Sequence, residues 1–165
     1  MTSNPIRRVR QNHGLEHATV AVLLERGVRP PLGGYSTAGG FFIFGRASSE
    51  TVSDAAYEAL ARMKEGQKEL AVSPYCGTNL ATGALLAGLL TTAILGRRKG
   101  RLKRFPFAIA AIVGATLASR PLGNSLQRKY TTLAEVSDIE ISRVRRLWKG
   151  SYTVHRISTT LKYSQ

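Results

Sequence analysis

Residues 79–119 read NLATGALLAGLLTTAILG, then RRKGRLKR, then FPFAIAAIVGATLAS, and the fold turns on how this stretch is taken. The first run (79–96) holds eighteen residues without a charge, about 27 Å if helical. The second (105–119) holds fifteen, about 22 Å before Arg120, a short span for a bilayer. Gly83, Ala87 and Gly88 can face Ala111, Gly114 and Ala115, the small-residue packing that membrane helices use. A buried hairpin in a soluble core is the alternative. Six basic residues in the loop 97–104 argue against it, because such a loop sits better against anionic headgroups. The stretch is expected to be a two-helix membrane hairpin.

Outward from the hairpin, both flanks read as parts of one small α+β unit. On the N-terminal side Asn4-Pro5 is a cap followed by proline at the first helical position, and Gly27 is a stop, which predicts a helix over 5–26. Its apolar stripe runs Ile6, Val9, His13, His17, Val20, Leu24. Gly33-Gly34 and Gly39-Gly40 are expected to bracket a turn before a strand at Phe41-Phe42-Ile43-Phe44. Ser49 is expected to cap a second helix over 50–65, and 70–72 to form a short strand. Beyond the hairpin, 139–144 and 152–158 alternate apolar and polar residues around Lys149-Gly150, as two antiparallel strands would. Three parts follow: 1–78, with the first helix; 79–119, the hairpin with its basic loop; and 120–165, a basic β-hairpin completing the sheet.

The chemistry concentrates in His13-Gly14-Leu15-Glu16-His17, an H-x-x-E-H motif. Positions four apart share a helix face, so His13 and His17 can both point at one ion. Glu16 lies about 100° around the axis from His17, suited to a general base beside a metal. Cys76, in Ser73-Pro74-Tyr75-Cys76-Gly77-Thr78-Asn79, offers a thiolate as third ligand. Two imidazoles and a thiolate suit Zn²⁺ and leave one position for water. Glu58, Glu65 and Glu69 are the carboxylate alternatives. The competing readings are a hydrogen-bonded His–Glu cluster without metal and a small buried cysteine.

Charge sorts the partners. The net +14 is unevenly spread: 1–78 holds nine basic against seven acidic residues, 97–104 six against none, and 119–165 nine against three. Basicity that gathers around apolar segments points to a membrane with anionic lipid, with partner membrane subunits as further candidates, and argues against nucleic acid. One cysteine allows no internal disulfide. The glycines at 33–45 match neither dinucleotide nor phosphate-loop patterns. The positive-inside rule favours a cytoplasmic 97–104 loop, but Arg120, Arg128 and Lys129 weaken that bias and the first residues lack an apolar signal region. The flanking parts are therefore expected in the cytoplasm.

Asn12-His13-x-x-Glu16-His17-Ala18-Thr19, Gly39-Gly40-Phe41, Cys76-Gly77-Thr78-Asn79 and Thr153-Val154-His155-Arg156 together resemble a family of small bacterial membrane proteins. That resemblance implies the architecture and no particular activity. The five-residue motif alone is similar to that of the inverted zincins, where two histidines bind zinc and the glutamate activates water. The expectation is a membrane-anchored metal-binding protein, in its sharpest form a zinc-dependent hydrolase. The alternative is a non-catalytic accessory subunit of a membrane assembly that contacts anionic lipid.

Overall fold

The computed structural model describes residues 4–96 and 100–162, which divide into two compact units, 1–73 with 128–165 and 74–127. Residues 74–78 and 120–127 thus go with the hairpin rather than with the flanking parts.

The first unit is α+β. Helix α1 (Pro5–Glu25) starts where Asn4 accepts from the Ile6 and Arg7 backbone N–H groups, and Pro5 occupies its first turn. It ends at Gly27, whose φ of +82° favours glycine. The expected stripe is only half right. Ile6 is 70% exposed and Val9 lies at the surface, whereas Gln11, Asn12, Leu15, Ala18, Thr19, Val22 and Leu23 are buried. The physical reason is that neighbours cover the middle of α1 on several sides, namely helix α2 (Ser49–Lys64), the sheet and the segment after α2. A single-stripe reading assumes one covered face.

Four antiparallel strands follow the order β1-β2-β4-β3: β1 (Gly33–Thr37), β2 (Gly40–Gly45), β3 (Ile139–Lys149) and β4 (Thr153–Leu161). The turn expected between the two glycine pairs falls at Ala38-Gly39, but the residues before it form a strand: β1 pairs Gly33 with Phe44 and Gly34 with Ile43. Gly40 has a φ of +132°, and a Cβ there would overlap the Ile157 carbonyl oxygen, so only glycine fits. Phe41, Ile43, Ile139 and Ile157 meet Leu15, Ala18 and Val22 of α1 and Val52, Ala56, Ala59 and Met63 of α2 in one core. Ser48, not Ser49, caps α2 by accepting from Thr51 N–H at 3.0 Å. The strand expected at 70–72 is a 3₁₀ turn, Lys68–Ala71, that buries Ala71 under α1. Three residues without a pairing partner cannot make a strand.

The second unit is a helical hairpin of α3 (Gly77–Leu95) and α4 (Arg101–Leu126). The fifteen-residue apolar run is thus part of a 26-residue helix that passes through Arg120 and Pro121. Lys103 and Arg104, expected in a loop, lie near the start of α4. Arg97, Arg98 and Lys99 fall outside the described residues. Small residues do form the seam, but in another register. Ala108 and Ala115 are buried, and a Cβ on Gly83 would lie 2.9 Å from the Ser119 Cβ. Gly88 and Gly114 face open space. At the hairpin's base Asn79 donates to Pro74 O and Asn124 Oδ1 and accepts from Gln127 Nε2 at 2.9 Å. Leu80, Leu85, Leu89, Phe107, Val113 and Leu117 point outward, each more than half exposed.

Candidate metal-binding site

His13 and His17 stand one turn apart on α1 with ring centroids 4.4 Å apart and rings tilted by 59°. Each is held from behind by backbone. His13 Nδ1–H donates to Thr131 O and His17 Nδ1–H to Ala71 O, both at 2.9 Å. A carbonyl can only accept, so Nδ1 carries a proton in both rings, and in the neutral imidazole this leaves the lone pair on Nε2. Ligating histidines usually have this outer-shell partner, which fixes tautomer and ring orientation.

Gly14 makes the approach of those two carbonyl segments feasible. A Cβ at residue 14 would sit 2.7 Å from Leu133 O and 3.2 Å from the Ala71 Cβ. Leu133 N–H also donates to Arg10 O at 2.9 Å, so the segment after α4 runs tight along α1. On another side of α1, Asn12 is fully buried. Its Nδ2 donates to Thr37 O at 2.7 Å and its Oδ1 accepts from Thr159 Oγ1 at 2.8 Å, tying the helix to the β1–β2 turn and to β4.

Glu16 is buried and accepts from Ser36 Oγ at 2.6 Å. Its side chain lies across Gly34, where a Cβ would be 2.5 Å from Oε1. The carboxylate thus has a fixed seat against β1, with a hydroxyl donor directing one oxygen. Cys76 opens the second unit, where it is buried and caps α3, Sγ accepting from Thr78 N–H at 3.4 Å. The alternative carboxylates lie apart in chemistry. Glu58 pairs with Arg26 at 2.7 Å, and that hydrogen bond holds its carboxyl below the ordinary value. Glu65 and Glu69 are exposed.

The third histidine belongs elsewhere. His155 on β4 is 1% exposed, and its Nε2 lies 3.1 Å from Ser49 Oγ. Burial, aided by the Arg146 charge, pushes its pKa down, so it is a neutral core residue. Sequence reasoning missed Ser36, Gly14 and the two carbonyls. A glycine in mid-helix beside a histidine was the available signal, since it marks a close backbone approach. The carbonyls carry no sequence signal at all.

Fold and geometry together define a small α+β domain that holds a carbonyl-braced histidine pair and carries a hairpin of outward-facing apolar residues. The chain belongs to the family described as Domain of unknown function (DUF6391), whose profile matches residues 8–144. That range includes α1 from Arg8 onward, Cys76, the hairpin and the first half of β3. The chain is similar to an uncharacterised protein of Picosynechococcus sp. (strain PCC 7002), 36% identical over 135 residues, which cover 75% of this chain and 65% of that protein. The chain thus spans just under two thirds of that relative's length. No solved structure matches it.

Proposed function

We propose that this is a small membrane-anchored metal-binding protein in which His13, His17 and Cys76 hold Zn²⁺. The observation that carries the reading is the pair of Nδ1–carbonyl hydrogen bonds. The donor types fit the ion: two imidazole Nε2 atoms and a thiolate are zinc ligands of matched softness, and three protein ligands leave one position open. In the sharper form of the proposal the protein is a hydrolase. Zinc bound there would supply a water whose pKa is lowered toward ~7. Glu16 would then be the proton acceptor, oriented by the Ser36 hydroxyl.

A second reading has an observation of its own. The Ser36 hydrogen bond and the seat over Gly34 give Glu16 a structural task, fastening α1 to β1. On that reading the protein is a non-catalytic accessory subunit. Substitution separates the two. His17→Ala removes bound zinc and Cys76→Ser lowers its affinity, while Glu16→Gln retains zinc and abolishes hydrolysis. Zinc retained by His17→Ala refutes the site; a Glu16→Gln protein that loses only stability favours the accessory reading.

Anchoring rests on Gly77–Leu95 and Leu102–Thr131, both long and apolar enough to cross a membrane. Only 6% and 11% of their apolar windows are buried, which is unlike the core helix of a soluble protein. We place the flanking parts in the cytoplasm. Protease treatment of intact cells checks it: β3 and β4 survive if that side is internal and are cut if it is external.

A further inference from the structure

Helices α1 and α2 pack on one face of the sheet, and the register fixes what stands on the other, open face. Phe41 and Ile43 of β2 and His155, Ile157 and Thr159 of β4 point into the core. Residues that alternate with them point outward, and paired residues share a face. One open-face row reads Tyr35, Phe42, Arg156, Arg145; the next reads Gly33, Phe44, Val154, Trp148; a third ends in Ser158 and Arg143.

Two bulges in β3 produce this pattern. Ile139 and Ile141 face the core, so plain alternation would send Arg143 and Arg145 inward as well. The irregularity between Ile141 and Arg143 reverses the phase and places both arginines on the open face. A second one between Arg146 and Trp148 adds the tryptophan. Trp148 and Tyr35 are each 65% exposed. The Arg156 guanidinium lies over the Phe42 ring, 5.0 Å from its centroid, and Arg46 sits at the same distance over Tyr152. Beside the aromatic row a hollow of about 350 Å³ is lined by Pro31, Leu32, Phe44 and Tyr152. Glu140, paired with Thr160 at the far end, is the acid on β3.

Arginines beside an apolar hollow suit an amphiphile with an anionic head. We infer that this open face, through Arg143, Arg145, Arg156 and Trp148, docks on the anionic headgroups of a lipid bilayer. The inference rests on the membrane reading of the hairpin, to which the sheet unit is joined covalently at both of the hairpin's ends. Each basic residue near an anionic surface favours binding by roughly fivefold, and the exposed aromatics suit the interfacial layer.

Trp148 is the only tryptophan of the chain, so its fluorescence reports on the contact directly. The full-length protein is reconstituted into phosphatidylcholine vesicles with and without phosphatidylglycerol. Anionic vesicles should blue-shift Trp148 and protect it from aqueous acrylamide, and about 0.5 M salt should reverse both. Arg145→Gln with Arg156→Gln should lower the docked-to-undocked ratio by roughly 25-fold, fivefold per arginine. The Lys replacements at both positions should keep most of the protection, which separates lost charge from lost folding. Flotation with both vesicle types and an unresponsive Trp148 overturns this inference alone. Failure to float with either overturns the hairpin reading and this inference with it. Protection of Trp148 by a single-stranded oligonucleotide in neutral vesicles, without a lipid effect, assigns the face to nucleic acid instead.

Discussion

Gly14→Ala opposes two effects of different sign in one methyl group. Alanine is the better helix former, worth about 1 kcal/mol over glycine in a helix interior. Against that, the new Cβ would lie 2.7 Å from Leu133 O and 3.2 Å from the Ala71 Cβ. The first neighbour is backbone, so relief requires movement of a whole segment, and overpacking of this kind costs about 1–3 kcal/mol. The same movement lengthens the His13–Thr131 and His17–Ala71 hydrogen bonds, each contributing about 1 kcal/mol. The balance is a net destabilisation of about 1–3 kcal/mol, or a drop in Tm of roughly 4–12 °C for a unit of this size. Thermal unfolding in detergent, followed by far-ultraviolet circular dichroism, measures it. The variant should also bind zinc more weakly, because the rings lose their fixed orientation. An unchanged or raised Tm would refute the reasoning, showing that α1 does not press on the Ala71 and Leu133 segments.

Other outcomes follow from the same contacts. His155 has a lowered pKa in the fold, so the unfolded chain takes up its proton first; stability is complete above the ordinary value of 6.5 and falls as pH drops below it. His155→Gln should flatten that slope in pH-dependent melts. Asp138 acts in a separate, lower window: burial would raise its pKa, but the hydrogen bonds from Arg7 and Gln11 outweigh this and hold it below 3.8, so its contribution is lost only as pH falls under that value. Gly123→Val should split the hairpin base, since a Cβ there would overlap Asn79; faster proteolysis between α3 and α4 in detergent would register it, and unchanged resistance would count against the packing.

Sequence patterns exposed the parts of the fold that depend on local chemistry. The Asn4-Pro5 start and Gly27 stop of α1, the strand at 41–44 and the C-terminal hairpin all rest on caps, glycines and alternation, which act within a few residues. Features set by distant partners were hidden. Gly33-Gly34 reads as the edge of a turn rather than a strand because nothing local tells that Glu16 will fill the space a side chain on Gly34 would take. Ile6 and Val9 read as core because a helical stripe cannot tell that the covered part of α1 lies further along. The continuation of α4 through Pro121 overrides a local breaker by packing against α3. The same holds at the candidate site: the spacing of His13 and His17 put both rings on one face, while the backbone carbonyls that brace them come from residues more than fifty positions away.

The braced histidine pair is proposed to hold zinc together with Cys76. Zinc K-edge X-ray absorption on the purified, detergent-solubilised protein tests it most directly. The expected spectrum shows one zinc per chain, bound through two imidazole nitrogens at ~2.0–2.1 Å and one sulfur at ~2.3 Å, the sulfur shell vanishing in Cys76→Ser. A protein that takes up no zinc, or binds it through oxygen alone, would contradict the claim.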